Sequence, residues 1–306
     1  MLNSPGMAGR CARACLPILL GLLSGSALAR NVTDDDQRTL TLAATTPRIV
    51  SLAPGATAML FAAGAGAQIV GTSGFSDEPA AAQRIERVGD SQNFDIERIL
   101  FLHPDVVVVW SGGTAAAQID KIERVGLPVY RHRIRQLAEI PDSLRRLGVL
   151  AGTEREAQAA AQQYAGRIAA LEQRYAHANA GGILIQIWDR PIYTVGRSEL
   201  LSDVVRICGY RNLYDDLSDP GPAVSLESVL ARNPDVILAV GADRVSAGEW
   251  LDRWRGYPTL EAVRSGRLVP WTDPRLSRLG PSMVEATEAL CSALAQRSTS
   301  AIISGL

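Results

Sequence analysis

Two kinds of residue in this sequence stand where they can do more than hold a fold. Phe75 and Tyr193 are aromatic side chains beside turns and suit the rim of a cleft, because such rings offer large apolar area with little rotamer entropy to lose. Trp110 ends an apolar run, and core burial and ligand contact suit it equally. Glu97 and Glu227 are the second kind. They occupy matching places in an internal repeat, Asp95 to Val106 against Ser225 to Val236, whose copies lie 130 residues apart. In each copy a capping residue (Asp95 or Ser225) precedes the glutamate, a short helix follows, and Pro-Asp turns the chain into a buried strand. Standing alone, a first-turn glutamate does no more than favour the helix dipole, worth about 0.3–1 kcal/mol.

The residue types that would signal catalysis or a metal are present without the spacing. His103, His132 and His177 lie in a helix-to-strand connector, a post-strand segment and the tail of a helix, which is no zinc-binding pattern. Ser51, Ser73 and Ser111 end strands or sit in turns, with no histidine placed to activate them. Gly-Xaa-Ser-Xaa-Gly and the phosphate-loop Gly-Lys-Ser/Thr are absent, and Gly64-Ala65-Gly66-Ala67 is a helix stop. The expectation is a binding protein with no cofactor, metal or catalytic residue. A secreted α/β hydrolase is the distant alternative, and a structural or adhesive protein a third.

Residues 1–29 read as a cleaved signal peptide: Arg10 and Arg13, an apolar Leu16–Leu23 run, then Ala27-Leu28-Ala29. That run is far short of the roughly 20 residues needed to span a bilayer. Both Cys11 and Cys15 precede it, so no lipid anchor is expected. Cleavage removes two arginines and no acid, turning a net charge of −1 into −3, and nothing in that balance courts nucleic acid or anionic lipid. It also leaves Cys208 and Cys291 alone in an oxidising compartment, as one disulfide or as two unpaired buried thiols.

The elements that position these residues follow an α/β rhythm of short apolar runs alternating with amphipathic stretches. Strands are expected at Ile49–Leu52, Ile69–Thr72, Val106–Trp110 and Val129–Tyr130, then at Ile183–Trp188, Val236–Val240 and Leu268–Pro270. Helices fall between them, and the strand ends open into Gly-, Pro- or Ser-rich turns, the edge at which open parallel sheets bind ligands. Residues 30–46 are polar, lack periodicity and read as a flexible leader. From Glu154 to about Ala178 there is no Pro and one Gly, at 166, so the segment reads as one long helix preceded by Thr153 as cap. The expected organisation is an N-terminal α/β lobe (47–150), a linking backbone helix (151–181) and a C-terminal α/β lobe (182–306). The two Rossmann-like lobes leave a ligand cleft between them.

The segments Arg48-Ile49-Val50-Ser51-Leu52-Ala53-Pro54, Phe61-Ala62-Ala63-Gly64, Gly71-Thr72-Ser73-Gly74-Phe75-Ser76-Asp77, Val109-Trp110-Ser111-Gly112-Gly113 and Arg206-Ile207-Cys208-Gly209 resemble one known family. It is the periplasmic binding proteins of ABC importers for siderophores, haem and cobalamin, in which a rigid helix joins two lobes. The resemblance runs from Arg48 to about Leu294 and is nearest to the cobalamin-binding branch. It implies a monomeric receptor that holds cobalamin (vitamin B12), as transported ligand, against Phe75, Trp110, Tyr193 and the 273–278 loop. In that loop Asp273, Arg275 and Arg278 meet peripheral amides or phosphate. It further implies a Cys208–Cys291 disulfide, and docking of Glu97 and Glu227 on arginines of the permease dimer. The sequence departs from the cobalamin pattern at Ser91 and Gly221, where tryptophans are expected; Trp188 and Tyr214 are the rings available to compensate. An iron-siderophore or haem is the alternative ligand, with Tyr193 or Tyr130 on the iron.

Overall fold

In the computed structural model the described residues are 1, 29–42, 46–90, 93–175, 181–241, 243–276 and 280–303, with side chains described as far as 295. The chain opens with β1 (Arg30–Thr33) and β2 (Thr39–Leu42). It continues through β3 (Ile49–Ser51), α1 (Pro54–Ala62), β4 (Ile69–Thr72), α2 (Ile96–Phe101), β5 (Val106–Trp110), α3 (Ala116–Arg124), β6 (Val129–His132) and α4 (Ile140–Ala151). After α5 (Glu154–Tyr175) come β7 (Gly182–Gln186), β8 (Ile192–Tyr193), α6 (Leu200–Ile207), β9 (Arg211–Asn212), β10 (Ala223–Val224) and α7 (Leu226–Arg232). The last elements are β11 (Val236–Val240), α8 (Arg244–Trp254), α9 (Glu261–Arg264), β12 (Leu268–Trp271) and α10 (Met283–Ile303).

Two four-stranded parallel sheets result, ordered β4-β3-β5-β6 and β12-β11-β7-β9, so this is the expected two-lobed α/β fold. The seven strands expected from the sequence are all present. Their continuous burial explains why they were readable: Val106–Val109 and Ile183–Ile185 are covered on both faces. The internal repeat has a structural meaning beyond its helix. Asp105 accepts from the backbone N–H of Arg48 at 2.7 Å, and Asp235 from that of Gly182 at 2.6 Å, so each Pro-Asp ties down the strand next to its own. His103 and Asn233, equivalent in the repeat, both take left-handed backbone (φ 47° and 43°) to end their helices.

The leader is a correction. Residues 30–42 form the β1–β2 hairpin, in which Asn31↔Thr41 and Val32↔Leu40 pair antiparallel and Val32 and Leu42 are buried. Its turn is set by Asp34, whose carboxylate accepts the N–H groups of Asp36 (3.0 Å) and Arg38 (2.8 Å). Asp35 then inserts below the sheet edge. Its carboxylate accepts from His132 Nδ1 (2.9 Å), Arg133 N (2.9 Å), Ser143 Oγ (3.0 Å) and Arg146 Nε (2.8 Å). A hairpin with so few apolar residues becomes ordered only through these distant partners, which local periodicity does not show.

Helix α5 covers 22 residues, about 33 Å at 1.5 Å per residue; the expected extension from 176 to 178 lies outside the described residues. At its start the Thr153 hydroxyl donates to the Ala63 carbonyl at 2.6 Å, which anchors it to the end of α1. Gly148 of α4 lets the helices approach so closely that a Cβ there would lie 2.3 Å from Ala157 Cβ. One buried cluster runs from Ile49 and Val108 through Leu144, Leu147, Ile168 and Leu171 into Ile185, Val204 and Leu290. The two lobes are thus joined by continuous core along α5, and Asp203 adds a bond across their base by accepting the Leu137 N–H at 2.8 Å. Cys208, after α6, is bonded to Cys291 in α10. Among the described residues no helix is long and apolar enough to cross a membrane. Of the signal peptide expected at 1–29, residues 2–28 lie outside them.

Candidate functional site: the rims of the inter-lobe cleft

In the N-terminal sheet β4 and β5 flank β3, so their carboxyl ends, which carry Phe75 and Trp110, stand about 10 Å apart. Phe75 is 78 % exposed and has φ 63°, a left-handed conformation that costs a non-glycine residue energy. The turn that imposes it is clamped by Arg87, whose guanidinium reaches Thr72 Oγ1 (2.7 Å), the carbonyls of Ser73 and Ser76 (3.0 Å each) and Asp77 Oδ1 (3.0 Å). Below it Ser51, Thr57, Ser73 and Ser76 form a buried hydroxyl cluster, so Ser51 and Ser73 are structural.

Trp110 is half-buried, and its indole lies against the Gly112-Gly113 turn. A Cβ on Gly113 would stand 2.0 Å from Cζ3, and one on Gly112 2.7 Å from Nε1, which is why the turn carries two glycines. Trp110 borders a cavity of about 160 Å³ shared by both lobes, with Arg133 and Arg135 on its own side and Ser198, Glu199 and Pro220 opposite. Arg133 is held by Ser111 Oγ (3.1 Å) and Asp36 (3.2 Å). Burial pushes the Glu199 carboxyl above its ordinary pKa, marking a half-buried acid where the lobes meet. Sequence reasoning missed Arg133, Arg135 and Glu199: the two arginines become neighbours of Trp110 through the pairing of β5 with β6, and Glu199 only through the meeting of the lobes.

On the C-terminal lobe Tyr193 is half-buried in β8, in a ribbon that continues to the cavity: Thr194 N donates to Pro222 O and Gly196 N to Pro220 O, both at 3.0 Å. Asp273 and Arg275 are joined in a fork, with Nε 3.0 and 3.1 Å from the two carboxylate oxygens and Nη2 2.6 Å from Oδ2. This bond raises the Arg275 pKa, and the charges of Glu285 and Glu78 add to it. Glu78 follows the turn that presents Phe75. The remaining member of the loop set, Arg278, lies outside the described residues, as do Ser91 and His177. At Gly221 no atom of the described residues, its chain neighbours aside, stands within 4 Å of where a side chain would begin.

Two expected alternatives fail on burial. Tyr214 is 1 % exposed, with its hydroxyl on Ser228 and Arg232 over its ring at 4.4 Å, so it does not compensate in the cleft. Tyr130 is fully buried beneath Asp35 and cannot reach an iron in the cleft. His132, Asp35 and Ser143 resemble a catalytic trio in composition only. Serine and aspartate both engage Nδ1 (3.3 and 2.9 Å), whereas a triad places them on opposite nitrogens, and Nε2 is buried without a partner among the described residues.

Glu97 and Glu227 are exposed in the first turns of α2 and α7. Asp95 caps one helix (2.9 Å to Arg98 N) and Ser225 the other (3.2 Å to Ser228 N). The backbone N–H of Glu227 and the Ser225 hydroxyl hold its carboxyl below the usual range. Since each helix runs antiparallel to the strand it feeds, each glutamate lies toward the carboxyl edge of its sheet, one per lobe.

A family model described as periplasmic binding protein matches residues 49–274. The vitamin B12-binding protein of Salmonella paratyphi A is 35 % identical over 250 residues, which cover 82 % of this chain and 91 % of that relative. That of Vibrio cholerae serotype O1 is 32 % identical over 247 residues, covering 81 % and 88 %. The crystal structure of the periplasmic vitamin B12 binding protein BtuF of Vibrio cholerae superposes with a TM-score of 0.74 at 31 % identity, over 82 % of this chain and 98 % of that one. The periplasmic heme-binding protein RhuT from Roseiflexus sp. RS-1 shares the fold, with a TM-score of 0.69 at 23 % identity over 82 % and 99 %.

Proposed function

Because this chain belongs to the periplasmic binding protein family, we propose that it is the periplasmic receptor of an ABC importer, not an enzyme, exported by a cleaved signal peptide. Its ligand is cobalamin or a related corrinoid, held between the lobes and delivered to the inner-membrane permease. What supports this reading is the pair of rims: Phe75 is exposed and Trp110 half-buried on one lobe, Tyr193 is half-buried on the other, and Trp110 lines a cavity that both lobes share. Near full-length similarity to vitamin B12-binding proteins supports the choice of ring. The Asp273–Arg275 fork offers both hydrogen-bond polarities to a ligand's peripheral amides at no net charge.

Glu97 and Glu227 are the handles for a permease dimer: two equivalent subunits need two equivalent acids, and the repeat supplies one on each lobe. The core that continues along α5 keeps their spacing fixed, so binding changes the angle between lobes little. The receptor acts as a monomer in this scheme.

Calorimetric and visible-absorbance titration with cyanocobalamin, haemin and a ferric hydroxamate tests the ligand. Cobalamin is expected to bind most tightly, and saturation by haemin with no heat from cobalamin would refute the assignment. For the docking role, Glu97→Ala with Glu227→Ala should leave affinity intact and depress transport; undiminished delivery by the double variant removes it. Turnover of candidate esters would revive the hydrolase.

A further inference from the structure

We propose that Trp188, backed by Trp250, is a further ligand-contacting residue that extends the aromatic surface of the C-terminal rim and favours wide planar rings. This rests on the reading of the protein as a macrocycle receptor. Trp188 opposes Tyr193 in an antiparallel bridge, with Tyr193 N donating to Trp188 O at 3.2 Å and Ile187 N to Tyr193 O at 2.9 Å. Directly opposed residues of an antiparallel pair project to the same face, about 5 Å apart at Cβ. On the other side of Tyr193 stands Ala223, its partner in β10. The backbone register therefore sets tryptophan, tyrosine and an exposed alanine side by side across the ribbon.

The shelf is built rather than floppy. The Trp188 carbonyl accepts from Gln186 Nε2 at 3.3 Å, and Gln186 is in turn fixed by buried Trp254 Nε1 at 2.8 Å. The next residue, Asp189, is ion-paired with Arg253 of α8 and lies 3.4 Å from Arg190 Nε. The Trp188 ring leans on Trp250 with centroids 6.0 Å apart and planes at 59°, an edge-inclined contact that limits its rotation. Despite that support it is 56 % exposed. Its support Trp250 also lines a neighbouring cavity of about 310 Å³, with Asp189, Ile192, Arg253 and Tyr257 among the other walls. A rigid, supported and still open tryptophan beside a cleft aromatic is the arrangement of a pre-organised contact surface.

The test titrates the full chain and three variants with cyanocobalamin and with haemin. Trp188→Ala should weaken binding of whichever ring the wild type takes by about tenfold, and Trp188→Phe by about two- to threefold, as fits the loss of one supported aromatic contact. Phe101→Ala, an exposed ring on α2, should bind as the wild type does. Thermal melts confirm that the variants are folded, and quenching of tryptophan fluorescence by the bound ring should be smaller in Trp188→Phe. If the wild type binds a ring and Trp188→Ala binds it within twofold, the inference is overturned while the receptor reading stands. Failure of the wild type to bind either ring overturns both.

Discussion

Replacing Gly113 by alanine should move the Trp110 ring, which we propose contacts the ligand, without touching any ligand atom. The added Cβ would stand 2.0 Å from Trp110 Cζ3 and 2.3 Å from Cε3, where ordinary contact begins near 3.4 Å. The outer edge of the indole must therefore retreat by about 1.4 Å, several times the roughly 0.5 Å within which a site must hold its geometry. Overpacking of this kind costs about 1–3 kcal/mol. Because a ring edge facing a cavity yields more easily than backbone, most of the effect should fall on the bound state. Converted to binding, it is a loss of about 5- to 150-fold in affinity. Gly112→Ala, with its Cβ at 2.7 Å from Nε1, should show a smaller version. The assay is calorimetric titration with cyanocobalamin, with near-ultraviolet circular dichroism to report the tryptophan and a thermal melt to report stability. A displaced tryptophan signal with unchanged affinity would refute a ligand-contacting role for Trp110.

Three further expectations concern the scaffold. Asp35→Ala strips the partner from buried His132 and from Arg146 and should cost about 3–5 kcal/mol in urea denaturation. Burial raises the Asp35 pKa, but the His132 bond, the Arg133 N–H and the Arg146 charge outweigh it and the carboxyl titrates below its usual range. Its contribution is therefore complete above about pH 4, the unfolded carboxylate value, and declines as pH falls toward the folded one. The stability gap between wild type and variant should stay constant from about pH 5 to 7 and narrow below about pH 4; a gap that widens there contradicts the assignment. Gly166→Ala in α5, where nothing lies within 4 Å of the new methyl, should stabilise by about 0.5–1 kcal/mol, and a lower melting temperature would show that the helix needs its glycine. Cys208→Ser with Cys291→Ser reopens a loop of 83 residues and should cost about 4–5 kcal/mol by loop-closure entropy; a melt insensitive to the substitution would show that the reduced chain is already constrained.

The parts of the fold that were legible are those whose cause is local. Strands β5 and β11 are apolar runs buried on both faces, and the caps Asp95 and Ser225 announce α2 and α7 within three residues. Hairpin β1–β2 was hidden because its order comes from His132, Ser143 and Arg146, none of them near in sequence. Helix α8 was hidden too, for its buried residues are only Ala247, Leu251 and Trp254 among polar neighbours. The places of Phe75 and Trp110 at strand-end turns were readable from the glycines beside them. Glu199 and Arg135 were not, since an acid in one lobe acquires a neighbour in the other only when the lobes are assembled. The same holds for Tyr214, an aromatic beside a turn whose burial no local pattern reveals.

The seat of Asp34 and Asp35 on β6 also dictates an order of events during synthesis. Strand β6 is an outer strand, and the hairpin turn occupies its open backbone groups: Asp35 N donates to Arg131 O at 3.1 Å and Arg131 N to Asp34 Oδ2 at 3.3 Å. Asp35 precedes its partners His132 and Arg146 by 97 and 111 residues. A nascent chain thus carries the stopper long before it carries the opening, and two four-residue strands cannot hold together alone meanwhile. When β6 finally emerges, the segment that shields it from pairing with another molecule is already tethered upstream and available at high local concentration.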